Sequence, residues 1–293
     1  MTTDVQPTPF AATELLSPIL AAVTPLLGTH RRPGLESGLV VRDERGWFLA
    51  TRLVDGTRLD DLLDAVQRRR QASPHAAAAL AWKSYTYWLA LPAILGWASA
   101  RRVPLLCPAD VLVRLEDGRS TMTLGLGRSI GVAVLPSSPL ATSGLPQVRV
   151  VPDESTMLVT LRESLLDGHL GPLLDAIQAR VRVGARTLLG SVSSGIAHGI
   201  LGAAGALHGS SAEHIATLLD ALGLAGLVEL VPDQTGQLTV RRKTCCLAFT
   251  LPQPKICAGC CITPDRAVRR GAHRLGNPRV GEAGHHSIGM RSR

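Results

Sequence analysis

Five of the six cysteines fall within the stretch Arg241–Cys261, RRKTCCLAFTLPQPKICAGCC. This feature constrains the fold most, because those thiols must end up within one short loop whatever surrounds them. Cys245 and Cys246 are adjacent, ten residues separate Cys246 from Cys257, two separate Cys257 from Cys260, and Cys261 follows directly. Four thiolates gathered this closely are what an iron–sulfur cluster or a zinc ion needs. A disulfide knot is the third reading, but it suits small, cysteine-dense secreted chains rather than a long one. Zinc sites pair cysteines across a short turn, a form that Cys257 and Cys260 have and Cys245 and Cys246 lack. Neighbours on an extended strand point to opposite faces, so two vicinal ligands force the backbone out of extended geometry.

RRKTCCL followed by C-A-G-C resembles the C-terminal signature of the FhuF-type ferric-siderophore reductases. The resemblance implies a 2Fe-2S cluster held by Cys245, Cys246, Cys257 and Cys260. Arg241, Arg242, Thr244 and Leu247 also match that pattern, and Phe249 stands where an aromatic is usual. A softer match lies at Arg186–Ser193, RTLLGSVS. The specific part is confined to the motif. Cys261 stands where the family commonly has proline, and the chain runs on to Arg293.

The composition is that of a globular chain, with a hydrophobic share of 45% and only 3% aromatic residues, so Leu, Val, Ala and Ile must build the core. The net charge of +8 is uneven. From Ile262 onward seven arginines face Asp265 and Glu282, a balance of +5 that leaves +3 for the rest. A basic pI of this origin is poor support for a nucleic-acid partner, and none is expected. Met1–Pro9 lacks the basic start of a signal peptide. Tyr85–Ala100 is shorter than the ~20 residues of a membrane span and contains Pro92. Thr187–Ala212 is uncharged but rich in Gly and Ser, with His198 and His208 inside it, which favours buried helices over a span. A cytoplasmic protein without stable membrane insertion is expected, and there thiols stay reduced.

Apolar periodicity predicts helices over Phe10–Leu27, Leu59–Gln71, Gly171–Val183, Thr187–Leu207 and Ser211–Leu222, and over His75–Ala100 either one long helix or two broken near Pro92; the stretch from Ser155 or Thr156 to Leu165 opens the second half. Leu39–Val41 and Trp47–Arg52 suggest a hairpin around Asp43–Gly46. Val111–Arg114, Thr121–Leu126 and Gly131–Leu135 read as short strands, the first two separated by Asp117-Gly118. Gly226–Val231 and Gln237–Arg242 read as a hairpin that runs into Cys245. The fold class is α+β: helix-rich, with a small antiparallel sheet in the N-terminal half and a C-terminal hairpin presenting the cysteines. The Pro/Ser/Gly segment Leu135–Pro146 suggests a division into residues 1–145 and 146–262, with 263–293 as a flexible basic tail.

The expected function is reduction of a ferric siderophore, of hydroxamate type, by way of the cluster. No acid–base residue is needed beyond the cluster ligands, because lowering iron from Fe(III) to Fe(II) weakens its bonds to hard oxygens. No phosphate loop, dinucleotide fingerprint or nucleophile elbow is found, so electrons must come from an external donor such as a ferredoxin or a flavodoxin-like protein. Arg241, Arg242 and Lys243 either raise the cluster potential and attract an anionic chelate or an acidic redox partner, or form an ordinary basic face on an edge strand. His169, His198, His208 and His214 read as structural or exposed, and Cys107 as a small buried residue. The competing classes are an iron–sulfur or zinc regulator that binds DNA, and a non-catalytic siderophore-binding or biosynthetic relative.

Overall fold

A computed structural model describes residues 9–29, 34–116, 122–257 and 259–262. The tail 263–293, the Asp117-Gly118 turn and the first eight residues lie outside them, and with them the expected flexibility of the tail. Met1–Cys260 forms one unit by its internal contacts, and Cys261, which is exposed, begins a second.

The chain is α+β. Helix α1 (Pro9–Thr29) leads to strands β1 (Leu35–Val40) and β2 (Phe48–Leu49), then to helices α2 (Thr51–Val54), α3 (Leu59–Arg70) and α4 (Pro74–Ala100). Strands β3 (Arg102–Pro104), β4 (Val111–Leu115), β5 (Met122–Leu126), β6 (Val132–Val134) and β7 (Val148–Val150) follow. Helix α5 (Glu154–Arg162) continues through a π-helical stretch, Glu163–Leu170, into α6 (Gly171–Arg180). Helices α7 (Ala185–Gly202) and α8 (Ser211–Ala221) and the hairpin strands β8 (Val228–Pro232) and β9 (Leu238–Arg242) complete the set.

Two corrections concern the sheets. The expected hairpin at 39–52 does not form: β1 pairs in parallel with β5, and β2 pairs antiparallel with β4. The turn at Asp43–Gly46 therefore joins strands on opposite edges of one four-stranded sheet, in the order β1-β5-β4-β2. A second sheet, β3-β6-β7, pairs β6 in parallel with β7 across the Leu135–Pro146 segment, so that segment is a connection within one sheet. Both sheets are thus mixed, while the C-terminal hairpin β8–β9 is antiparallel as expected.

Helix α4 is the axis of the core. Ser73 caps it, accepting a hydrogen bond from the Ala76 N–H, and Pro74 opens it. Pro92 sits inside without ending it, because neighbours on every side hold the helix. Trp82, Tyr85, Trp88 and Trp97 are all buried, which makes the aromatic run core. Helix α7 lies along α4, and its small residues permit the approach. A Cβ at Gly199 would stand 2.7 Å from a Leu91 methyl, and one at Gly195 would meet the Tyr87 backbone at 3.5 Å. The Trp82 indole N–H donates to the Leu188 carbonyl at 2.8 Å and pins the two helices together.

A buried polar pair lies beside α4. His169, on the π-helical stretch, is fully buried, with Nδ1 2.7 Å from the Leu106 carbonyl and Nε2 2.7 Å from the Tyr85 hydroxyl. A carbonyl can only accept, so Nδ1 carries the proton and Nε2 accepts from Tyr85. Burial pushes the Tyr85 hydroxyl up and lowers the His169 pKa to about 4, so both stay neutral.

Candidate functional site

Strand β9 delivers the chain to the cysteines, and the loop that follows folds back onto it. The Arg242 N–H donates to the Gly259 carbonyl at 2.8 Å, and the Lys243 N–H donates to the Leu227 carbonyl at 3.0 Å. Gly259 has to be glycine: a Cβ there would overlap the Val240 carbonyl. Within the loop, the Lys255 N–H donates to the Ala248 carbonyl at 3.0 Å. The Cys260 N–H donates to the Cys257 carbonyl at 3.0 Å and closes the turn expected of that spacing.

The chain turns sharply just after the vicinal pair. Leu247, directly after Cys246, takes a left-handed conformation at φ 60°, and its N–H turns back to the Cys245 sulfur at 3.3 Å. The Ala248 N–H bonds the Cys246 sulfur. Two backbone donors therefore point at sulfur within one turn. Cys246 and Cys260 are buried, Cys245 and Cys257 are half-buried, and Cys261 is exposed.

Cys246 and Cys257 lie side by side and perturb each other's thiols. The hydrogen bond from Cys257, then the Ala248 N–H and the charges of Lys83 and Arg242, hold Cys246 well below the usual thiol range despite its burial. Cys257 is pushed up, first by that same hydrogen bond and then by burial. Cys260 lies close enough to add to the shift. Among the described residues, no group of three or more His, Cys, Asp or Glu is arranged to hold a single metal ion.

Arg241 and Arg242 face opposite ways. Arg241 is exposed and faces Glu229 across the hairpin at 3.7 Å, whereas Arg242 turns inward and is only 2% exposed. It donates from Nη2 to Ser191 Oγ at 2.8 Å and from Nε to the Thr244 carbonyl at 3.2 Å. Its Nη1 is buried without a protein partner, as is Thr244 Oγ1. Thr244 in turn packs on Gly190, where any side chain would collide with it. Gly190 and Ser191 belong to the RTLLGSVS segment, which is therefore the bed on which the cysteine loop rests.

Lys83 escapes a local reading of the sequence. It sits on α4, far upstream, yet acts on Cys246, Cys257 and His198. A signal is present all the same, because Lys83 is the one formal charge in the whole of α4. Moreover, the chain contains only three lysines: Lys83, which acts on the cysteines, and Lys243 and Lys255, which lie in the cysteine loop itself. His198, on the exposed side of α7, has its pKa lowered by partial desolvation and then by Lys83 and Arg242. His169 and His214 are buried away from the cysteines, the first bonded to Tyr85 and the second edge-on to Trp97. Cys107 is exposed rather than buried, because Pro108 opens a tight turn there that leaves its side chain outside.

No family model and no curated protein matches the chain. The donor set is therefore judged on its own chemistry. Cys246 and Cys257 lie side by side with Cys260 close by, backbone N–H groups are directed at the Cys245 and Cys246 sulfurs, and two cations stand nearby. No carboxylate occurs from Gln234 through Pro264. Such a set fits an anionic, thiolate-held centre.

Proposed function

We propose that this chain is a ferric-siderophore reductase whose Cys245, Cys246, Cys257 and Cys260 hold a 2Fe-2S cluster. The observation that supports this reading is the meeting of Cys246 with Cys257 across one loop, beside Cys260, with an N–H donor at the Cys245 sulfur and the buried cation Arg242 close by. When bound, the cluster supplies one-electron chemistry. Arg242 and Lys83 favour the charge that thiolates bring and resist its loss to protons. The half-buried Cys245 and Cys257 keep the site close to the surface, within reach of a bulky substrate. That substrate is a ferric chelate of hydroxamate type. Its Fe(III) gains one electron, the charge on iron falls, the oxygen ligands loosen, and Fe(II) leaves. The electron comes from an external donor, a ferredoxin or flavodoxin-like protein. The reaction belongs in the cytoplasm, where thiols are reduced. No helix among the described residues is long and apolar enough to cross a membrane.

Anaerobic purification followed by iron and sulfide analysis, a visible spectrum and single-turnover reduction of a ferric trihydroxamate tests the proposal. Iron and sulfide in equal amounts, with Fe(II) released at a rate set by the reduced centre, are expected. Protein that binds only zinc, or that binds chelate without reducing it, would overturn the reading.

A further inference from the structure

The three lysines call for an explanation of their own. Cations elsewhere in the chain are arginines, so the confinement of all lysine to one site is not a matter of composition. Lys243 and Lys255 are exposed and Lys83 is half-buried. Their own segments offer them no carboxylate: no Asp or Glu occurs between Asp233 and Asp265, and none occurs in α4. Two large apolar side chains stand out beside them: Phe249 is 42% exposed and Ile256 is 48% exposed. The Lys255 N–H is bonded to the Ala248 carbonyl at 3.0 Å, which draws together the two segments that carry them. Ile256 is also the neighbour of the half-buried Cys257.

From this placement we infer that the lysines and the Phe249–Ile256 pair form a docking face for a small acidic electron-donor protein. An apolar contact rimmed by charges is how protein interfaces are built. Two exposed apolar side chains among three lysines suit a brief encounter rather than a lasting complex. Lysine fits that task, as a hydrated point charge that steers a partner without locking it in a bidentate pair. A duplex nucleic acid would call instead for a row of cations tracking its phosphates. The donor loses one electron to the site and is oxidised, and Fe(III) of the substrate is reduced by one. The role as donor rests on the proposed function; the docking face itself does not require it.

The test measures binding of a purified acidic 2Fe-2S ferredoxin to the full chain by calorimetry, with a short DNA duplex as the rival ligand. Two variants carry it: Lys83→Glu, Lys243→Glu and Lys255→Glu together, and Phe249→Ser with Ile256→Ser. Arg149→Glu, an exposed change on β7, is the control. The wild type should bind the ferredoxin and weaken about tenfold between low and physiological salt. The triple lysine variant should lose about tenfold at low salt, the apolar variant severalfold, and Arg149→Glu within about twofold. Melting curves confirm that the variants, all at exposed or half-buried side chains, remain folded. No binding by the wild type, equal binding by the triple variant, or lysine-dependent binding of the duplex in place of the ferredoxin would overturn the docking face. Binding by protein that holds no iron and sulfide would sink the reductase and leave the docking face standing. Iron and sulfide without binding would do the reverse.

Discussion

Helix α4 and the cysteine loop are held by opposite means. Over its 27 residues, α4 is buried on nearly all sides and owes its place to Trp82, Tyr85, Trp97 and the aliphatic side chains around them. Among its described residues, the loop 243–260 has few buried apolar groups and is held by a handful of backbone bonds, by one inward arginine and by glycines that let backbones touch. The first kind of support tolerates change at any one surface position and depends on total burial. The second depends on particular atoms. Damage to α4 should therefore unfold the chain, whereas damage to the loop should empty the site and leave the body intact.

The largest effect is expected at the centre of the body. Trp82→Ala removes a buried indole and its bond to Leu188, and should cost about 4 kcal/mol in urea unfolding. A loss below about 1 kcal/mol would mean that α4 and α7 are not locked as described.

Acid should strike the body next. The His169 pKa lies at about 4 in the folded chain, below the ordinary 6.5. Below 6.5 the unfolded chain takes up a proton that the folded chain refuses, so the unfolded state binds more protons there. Stability is then complete above about pH 6.5 and falls as the pH drops toward 4, by about 3 kcal/mol in all. His169→Gln should flatten that part of the pH profile of unfolding; an unchanged slope would assign the acid sensitivity elsewhere.

The loop should answer differently. Gly259→Ala forces the turn off the Val240 carbonyl and breaks the Arg242–Gly259 bond, so iron retention should fall roughly tenfold. The urea midpoint should move by about 1 kcal/mol or less. Equal losses in both would show that loop and body are one cooperative piece. The smallest effect is expected at Leu247, whose left-handed φ glycine adopts freely. Leu247→Gly should change stability by less than about 1 kcal/mol, while Leu247→Val should cost more, because a branched Cβ resists positive φ.

The sequence made the body legible where contacts are local. The amphipathic α3, the apolar α4 and the β8–β9 hairpin could be read from neighbours in the chain. The pairing of β1 with β5 could not, because it joins residues as distant as Leu35 and Leu124 through backbone bonds that leave no trace in side-chain pattern. The site divides the same way. The cysteines and the turn at Cys257–Cys260 announce themselves by spacing. The partners of the loop do not: Ser191 sits in a helix whose Gly and Ser content reads as packing, and Lys83 lies on a core helix. That Arg242 faces inward and Arg241 outward follows from strand alternation, but which of the two is buried is settled only by α7 packing on β9.

The most direct test of the central claim is iron and sulfide content, with the visible spectrum, of five single serine variants purified without oxygen. Cys245→Ser, Cys246→Ser, Cys257→Ser and Cys260→Ser should each lose or grossly alter the centre, while Cys261→Ser, at an exposed side chain, should keep it. Loss with Cys261→Ser but not with Cys260→Ser would contradict the ligand set, and a wild-type spectrum in all five would contradict the cluster itself.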